Sequence, residues 1–275
     1  MPDSPAITVR LAATSAEVFA AQRLRYKVFY EEWGAIPGPL ALSEQRDAEP
    51  FDAVAEHLIV IDHARAKAGI DCGVVGNYRL LRSAHAQREF YSAREFDISR
   101  LQLRNDLRLL ELGRSCVLRE YRNRPVLQSL WRALAQYVAE HRIDLMFGCA
   151  SFRGTDPASI VEPLAYLHHH HLAQPECRPR AIGHERIAMD RLPKEKIDAT
   201  RAIRGMEPLI RGYLRLGASV GDGACIDRQF NAIDVCIVLP TSNLTEKYVK
   251  HYERQGGLKF RKAMRSDAVV VDEIA

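Results

Sequence analysis

Residues 110–117 read Leu-Glu-Leu-Gly-Arg-Ser-Cys-Val and lead directly into a basic stretch and a helix-forming run. The apolar residues predict a β-strand, yet Glu111 and Arg114 bring a carboxylate and a guanidinium into it. Burying a charge is costly unless the charge is paired or used. We therefore expect a central strand that carries an ion pair, a functional site or both. A helix with Pro125 in its first turn is expected to follow.

Hydrophobic periodicity predicts further strands and helices along the chain. A helix is expected from Ser15 through Tyr30, and another begins after Asp156, a preferred N-cap that is followed by proline. The predicted strands cover residues 7–11, 58–62, 74–81, 107–117, 143–152 and 233–239. This order predicts an α/β fold of three layers, with helices on both sides of a mixed central sheet.

Composition excludes several classes of protein. The 275 residues carry a net charge of +4, which is too mild for a dedicated nucleic-acid binder. No apolar run is long enough for a membrane span, and the N-terminal residues do not read as a signal peptide. The six cysteines lack CxxC spacing, which favours reduced thiols in a cytoplasmic protein. Basic clusters, including residues 247–265, suit a solvated face, an acidic protein partner or an anionic membrane surface.

An ordered set of residues within the first 155 positions carries a family resemblance. The set is Arg25, Phe29 and Trp33 at helical spacing, then Asp52, Arg79, Glu111 and Arg114. It resembles the acyl-homoserine lactone autoinducer synthases of the N-acetyltransferase-like superfamily, which take acyl groups from acyl carrier protein. That family usually has two aspartates three positions apart, where this chain has Glu49 and Asp52. The resemblance implies that Arg25, Phe29 and Trp33 bind the acyl donor.

Further segments extend the resemblance over nearly the whole chain. They are Ala-Glu-His-Leu-Ile-Val at 55–60, Gly-Arg-Ser-Cys-Val at 113–117, Gly-Thr-Asp-Pro at 154–157, Tyr-Leu-His-His-His-His at 166–171, Gly-Tyr-Leu-Arg-Leu-Gly-Ala at 212–218 and Phe-Asn-x-x-Asp-Val at 230–235. Together they resemble the ornithine lipid synthesis N-acyltransferases, which move a 3-hydroxyacyl chain from acyl carrier protein to the α-amine of ornithine and form lyso-ornithine lipid. The resemblance implies an N-acetyltransferase-like core over residues 1–200. Residues 201–275 are then expected to complete the sheet and the acceptor pocket within the same domain, with no bound cofactor.

The start of the helix after the central strand favours acyl carrier protein over coenzyme A as the donor. Coenzyme A-using members of the superfamily carry R-x-x-G-x-G/A there, and the glycines let a pyrophosphate approach backbone N–H groups. Counted from Arg122, this chain has Pro125 and Leu127 at the glycine positions, and proline also removes a donor. We expect instead a phosphopantetheine arm with one phosphate, attracted by Arg119, Arg122 and Arg124.

The charged residues of the strands are candidate catalytic groups. Amide formation from a thioester needs a deprotonated amine, and Glu111 is the first candidate base, directly or through water. The alternative is a structural ion pair of Glu111 with Arg79, Arg114 or Arg25, which is compatible with a catalytic role. In a regular strand Glu111 and Arg114 face opposite sides, and only a β-bulge would realign them. Arg79 is expected to hold the acidic pair before the second strand, and Arg114 could bind the acceptor carboxylate.

Candidate acceptor-binding residues lie mostly in the second half of the chain. The side-chain ammonium of ornithine needs an acidic partner, and three aspartates follow residue 220, although such residues also form turns. The acceptor candidates are Asp52, His57, Ser151, Asp222, Asp227 and Asp234. The histidines at 168–171 have a spacing that can share a metal, but no cysteine or carboxylate completes the set, so no metal site is expected.

Other functions are compatible with these residues. An acyl-homoserine lactone synthase or an N-acyl amino acid synthase would use the same donor, although the residues after 200 exceed a minimal lactone synthase. A noncatalytic module that binds carrier protein or a membrane surface is a different class. That module predicts that Glu111→Gln leaves function intact, whereas an enzyme predicts a large loss of rate.

Overall fold

The structure, a computed structural model, describes residues 6–86 and 89–243. The strands are β1 (Ile7–Leu11), β2 (Glu56–Asp62), β3 (Val74–Arg82), β4 (Phe96–Asp97), β5 (Leu109–Val117), β6 (Leu145–Arg153), β7 (Arg180–Ala181), β8 (Arg186–Ile187), β9 (Ser219–Val220), β10 (Ala224–Asp227) and β11 (Ala232–Pro240). The α-helices are α1 (Ser15–Tyr26), α2 (Pro39–Glu44), α3 (His63–Ala66), α4 (Ile70–Gly73), α5 (Ser99–Gln102), α6 (Arg124–Glu140), α7 (Val161–His171), α8 (Ala199–Arg204) and α9 (Pro208–Leu216). A π-helical turn (Lys27–Glu32) extends α1, and 3₁₀ turns include Pro50–Ala53, Tyr91–Arg94 and Arg119–Tyr121.

Nine strands form one mixed sheet in the order β1-β2-β3-β5-β6-β11-β10-β8, with β9 paired to β11. Within this sheet β5 and β6 run parallel, and the other pairs run antiparallel. A parallel pair needs a crossover connection, which α6 supplies. Strands β4 and β7 form a separate small sheet. The predicted α/β fold with a mixed central sheet is confirmed.

Helices cover both faces of the sheet. Tyr78 on β3 contacts Trp131 of α6 and hydrogen-bonds Tyr213 of α9. The next residue, Arg79, points to the opposite face, because successive strand residues alternate. On that face α1 packs against β3. The layers therefore have the predicted arrangement of helix, sheet and helix.

Helix α6 begins where the sequence predicts. Asn123 is its N-cap and accepts a hydrogen bond from the Val126 N–H at 3.2 Å. Pro125 lies in the first turn, where its missing N–H costs no helical bond. The helix then buries Val126, Leu130 and Leu134 against the sheet.

Part of the predicted chain organisation is outside the described residues or is not tested. The predicted amphipathic and basic segments at 244–254 and 247–265 lie outside the described residues. The division at residue 200 stays a prediction, although β9, β10 and β11 all join the same sheet as the earlier strands.

Strands β5 and β6 part after three paired positions. Leu109, Leu110 and Glu111 pair with residues 145–147, and beyond them β5 follows β3 while β6 follows β11. The parting begins at Gly148, which has φ +154° and where an ideal Cβ would lie 2.1 Å from the carbonyl oxygen of Leu112. Downstream, residues 113–115 of β5, together with Cys149 and Ser151 of β6, are only half-buried. We call the space between these residues the cleft.

Gly148→Ala is expected to lower the free energy of unfolding by at least about 3 kcal/mol, because the added methyl group meets the backbone of β5. Gly212→Ala in α9 is the control. Its Cβ would lie 3.8 Å from Trp131, an ordinary contact, and alanine favours a helix over glycine by about 0.5–1 kcal/mol. Urea unfolding measures both variants, and equal stabilities would contradict a tight contact at Gly148.

Candidate active site

A buried ion-pair network lies between α1 and the sheet. The Arg25 guanidinium is fully buried and donates to both carboxylate oxygens of Asp52, at 2.8 and 2.7 Å. Its Nε lies 2.8 Å from Asp47 Oδ2. Gln22 also donates to Asp52 at 2.8 Å. The loop before β2 is therefore attached to α1 through charged groups that have little contact with water.

Two further arginines join the network from the strands. Arg79 of β3 lies 3.1 Å from Glu49 and 3.6 Å from Asp52. Arg114 of β5 lies 3.1 Å from Asp47 and also pairs with Glu49. Three guanidiniums thus meet three carboxylates, so each buried charge has partners of the opposite sign. The expected contact of Arg79 with the acidic pair is present.

Charge pairing outweighs burial at Asp52. Burial alone would raise the pKa of Asp52, but the hydrogen bonds and charge of Arg25, together with Arg79, hold that pKa well below its ordinary value. Asp52 therefore stays ionised. Arg25 and Asp52 are thus engaged with each other and almost completely buried, and their predicted donor-binding and acceptor-binding roles stay predictions.

The Glu111 carboxylate accepts its hydrogen bonds from the turn at Tyr91 and Ser92. The Tyr91 N–H donates to Oε2 at 3.0 Å, and the Ser92 N–H and hydroxyl each donate to Oε1 at 2.7 Å. Within the described residues, Glu111 makes no direct ion pair with Arg25, Arg79 or Arg114. Burial raises the pKa of Glu111, although the Ser92 hydrogen bonds and the more distant Arg79 charge oppose that rise.

A β-bulge realigns Arg114 with Glu111. In the register of β3 and β5, Arg114 and Ser115 together oppose Tyr78, and Arg114 has φ +49°. Asn77 donates to the Arg114 carbonyl oxygen at 3.0 Å and holds the bulge. Arg114 and Glu111 consequently lie on the same face of the strand, so the β-bulge that this alignment requires is present.

Tyr91 connects these charged groups. Its ring lies 4.5 Å from the guanidinium carbon of Arg114, 5.1 Å from that of Arg94 and 5.5 Å from that of Arg79. Glu111 fixes the backbone of the same residue. Neither Tyr91 nor Ser92 has a sequence pattern that marks it, because their role depends on a turn packing against β5.

The predicted aromatic pair lies beside the bulge. Phe29 and Trp33 meet edge to face at 5.7 Å, and Phe29 meets Phe230 at 5.9 Å. The guanidinium carbon of Arg153 lies 4.4 Å from the Trp33 ring, and that of Arg114 lies 4.4 Å from the Phe230 ring. The π-helical turn places Phe29 and Trp33 here, and their donor-binding role stays a prediction.

An acidic cluster lies at the β6 and β11 side of the cleft. The potential ligand atoms of Glu95, Cys149 and Asp234 all lie within 4.8 Å of one another. The Cys149 sulfur lies 3.5 Å from Glu95 Oε2 and 3.6 Å from Ser92 Oγ. Ser151 opposes Asp234 in the strand register and hydrogen-bonds its carboxylate. The sequence identified Asp234 and Ser151 but not Glu95, which reaches the cleft from an irregular segment.

The pKa values of both carboxyls in the cluster are raised. Burial raises the pKa of Glu95, and repulsion from Asp234 and Asp227 raises it further. Burial also raises the pKa of Asp234, which the Ser151 hydrogen bond opposes. Two close carboxyls cannot both ionise easily, so the pair shares a proton near neutral pH.

The other acceptor candidates have separate positions. Asp227 caps a turn by accepting from the Phe230 N–H at 2.9 Å, yet its charge still acts on the acidic cluster. The backbone of Asp222 forms an isolated β-bridge with Arg180 of β7, and its acceptor-binding role stays a prediction. His57 is buried with its ring 3.9 Å from Asp52, and burial lowers its pKa.

The three arginines near the start of α6 are not equivalent. Arg122 donates to both carboxylate oxygens of Glu32 at 2.6 Å and to the Val117 carbonyl at 2.8 Å. Arg119 and Arg124 are exposed. Arg119 and Arg124 are thus the accessible members of the predicted phosphate-attracting group, whereas Arg122 anchors the π-helical turn to β5.

The four histidines belong to the end of α7. The His169 ring nitrogen lies 2.9 Å from the Leu192 carbonyl oxygen, and Tyr166 stacks on His170 at 4.6 Å. Within residues 6–86 and 89–243, the group spaced closely enough to hold a metal is Glu95, Cys149 and Asp234, not the histidines.

Asp52→Asn is expected to lower the free energy of unfolding by about 3 kcal/mol at neutral pH, because it leaves the buried Arg25 charge without its bidentate partner. Since the folded pKa of Asp52 is depressed, its contribution is present above about pH 4 and is lost as the pH falls. The difference in free energy of unfolding between wild type and Asp52→Asn, measured by urea unfolding, should therefore become smaller as the pH is lowered. Asp106→Asn, at an exposed partner of Arg104, is the control and should leave the free energy of unfolding unchanged. A stability difference between wild type and Asp52→Asn that does not depend on pH would contradict the ion pair.

Comparisons with known proteins agree with this architecture. A family model described as an acetyltransferase (GNAT) domain matches residues 24–132. The solved CoA-dependent acyl-homoserine lactone synthase BjaI, with SAM and isopentyl-CoA, has a TM-score of 0.52 and 12% identity, covering 94% of this chain and 93% of that one. That likeness concerns the fold. No helix of the described part has the length and apolar character needed to cross a membrane.

Curated relatives are much closer in sequence. An L-ornithine N(alpha)-acyltransferase from Brucella abortus is 46% identical over 90% of this chain and 88% of its own length. One from Rhodobacter capsulatus is 46% identical over 90% of this chain and 95% of its own length. The chain therefore belongs to the L-ornithine N(alpha)-acyltransferase family.

Proposed function

We propose that this protein transfers a 3-hydroxyacyl chain from acyl carrier protein to the α-amine of L-ornithine, giving lyso-ornithine lipid. The names of its relatives support ornithine as the acceptor. The observation that carries the proposal is the cleft, which has an acidic cluster on one wall and leads toward exposed arginines at the start of α6.

The parting of the strands suits an extended thioester arm. Beyond Glu111, the β5 edge has no β6 backbone to pair with. Amide groups of a phosphopantetheine arm can satisfy such backbone groups, which are costly to leave unpaired. Pro125 in the first turn of α6 favours one phosphate over a pyrophosphate, since it presents no N–H there. Arg119 and Arg124 are placed to attract that phosphate or the acidic carrier protein.

The reaction needs a base and an oriented acceptor. The α-amine nitrogen attacks the thioester carbonyl, the new C–N bond forms, the C–S bond breaks, and the carrier protein leaves as its thiol. We assign one proton of the α-ammonium group to Glu111, and the proton that the nitrogen loses on attack goes to the leaving sulfur. The Glu111 carboxylate is buried, and its Ser92 hydroxyl partner lies toward the cleft. Arg79 and Arg114 are positioning residues in this scheme, because they hold Tyr91 and the bulge against Glu111.

The direct test incubates the protein with 3-hydroxyacyl carrier protein or the matching coenzyme A thioester, and with ornithine, lysine or S-adenosylmethionine. Mass spectrometry identifies the products. An ornithine amide from the carrier-protein donor supports the proposal. A lactone from S-adenosylmethionine, or an amide of another amino acid alone, would overturn the acceptor, and carrier-protein binding without transfer would favour the noncatalytic module.

Glu111→Gln should lower kcat by about 10²- to 10⁴-fold, the usual contribution of general base catalysis, and should leave the KM for ornithine nearly unchanged. Steady-state kinetics across pH measures this. Glu176→Gln, at an exposed position in another region, is the matched control and should retain full activity. Circular dichroism confirms that each variant is folded; a folded Glu111→Gln with wild-type kcat would exclude Glu111 as the base.

Arg124→Glu should raise the KM for acyl carrier protein about tenfold, because it reverses an exposed charge that faces an acidic partner. The wild-type KM should also rise with salt, since screening weakens this attraction. Arg191→Glu makes the same charge change at an exposed site away from α6 and is the control. Equal KM values for the two variants would argue against docking at the α6 start.

A further inference from the structure

The acidic cluster has a property that the acyl transfer itself does not explain. Asp234 is almost completely buried, yet no residue in the described part of the chain donates a hydrogen bond to its Oδ1. Buried oxygens of this kind are rare, because an unmade hydrogen bond to a buried acceptor is costly. Asp234 and its neighbour Glu95 both border the cleft through Cys149 and Ser151.

The surroundings of the pair supply little positive charge. Arg114 acts on Asp234 but already pairs with Asp47 and Glu49. The titratable and charged groups that act on the pair from the packed elements are Tyr91, Arg114, Cys149, Cys225, Asp227 and Cys236. Most of these are neutral or negative, so the cluster is short of positive charge. Ser151 and Glu95 hydrogen-bond the Asp234 carboxylate, yet Oδ1 still lacks a donor among the described residues.

A primary ammonium group supplies both missing components. It carries one positive charge and three N–H donors. Glu95, the free Oδ1 of Asp234 and the lone pairs of the Ser151 hydroxyl provide three acceptors at one end of the cleft. A guanidinium is planar and larger, and an uncharged side chain would leave the buried carboxyls unpaired.

We propose that Glu95 and Asp234 form the subsite for the side-chain ammonium group of a diamino acid acceptor. This inference rests on the proposed function and names the part of the site that selects ornithine over amino acids without a terminal amine. Because the empty pair shares a proton, binding of the ammonium group releases that proton. Glu95, which the sequence did not mark, is then a specificity-determining residue.

The test compares ornithine with norvaline, which has the same carbon chain without the terminal amine. Wild type should prefer ornithine by about 100-fold or more in kcat/KM, since a buried site that bonds a polar group rejects an analogue lacking it. Glu95→Gln and Asp234→Asn should bring this ratio to within about tenfold of one. Norvaline turnover in each variant shows that the fold and the transfer step survive.

The pH dependence of the same ratio is the second measurement. Well below the pKa of the α-amine, the reactive fraction of each substrate rises in parallel with pH, so this effect cancels in the ratio. The wild-type preference for ornithine should therefore rise between pH 6 and pH 8 as the pair loses its shared proton, and this rise should be absent in Glu95→Gln. Glu176→Gln is the control and should retain the wild-type ratio at every pH.

The outcomes separate this inference from the proposed function. If wild type does not acylate ornithine at all, the proposed function fails. If wild type acylates ornithine but the variants keep its preference over norvaline, only the subsite is wrong. Tight binding of Zn²⁺ that is lost in Cys149→Ser, together with an unchanged substrate ratio, would make the cluster a metal site and overturn the ammonium assignment.

Discussion

Three buried guanidiniums balanced by three carboxylates hold one face of this protein together. Arg25 comes from α1, Arg79 from β3 and Arg114 from β5, and the loop before β2 supplies the acids. Such networks add little net stability over apolar packing, but a missing partner is costly, so they favour one arrangement of the elements. Here that arrangement keeps Arg114 on its bulge and Tyr91 beside Glu111.

The same face contains carboxyls in two contrasting environments. Glu111 receives three hydrogen bonds from the turn at Tyr91 and Ser92, whereas one buried oxygen of Asp234 has no donor among residues 6–86 and 89–243. The same chemical group thus lies in two different surroundings. The turn supplies N–H and O–H donors to Glu111, whereas Asp234 lies beside a second carboxyl, that of Glu95. In the proposed reaction this difference separates proton transfer at Glu111 from acceptor recognition at Glu95 and Asp234.

Much of the fold was predictable from local sequence. Short apolar runs marked the strands, Asn123 and Pro125 marked the start of α6, and Asp156 with Pro157 marked the turn that leads into α7. These signals are local, because backbone geometry and capping depend on a few neighbouring residues. The order of strands and helices then restricted the chain to a mixed sheet covered on both faces. The family was also readable, since its residues recur in a fixed order along the chain.

The details of the site depended on tertiary structure. No local pattern places a bulge at Arg114, which arises from the register between β3 and β5. Glu95 lies in an irregular segment and meets Asp234 only because β11 returns to pair with β6. Arg25 shares a helical spacing with Phe29 and Trp33, yet it is buried with Asp47 and Asp52 while the aromatic pair lies beside the bulge. The sequence by itself determined the main strands and helices and the family. The packing of distant segments decided which charges pair, which keep a proton and which face the cleft, because those properties depend on neighbours that only folding brings together.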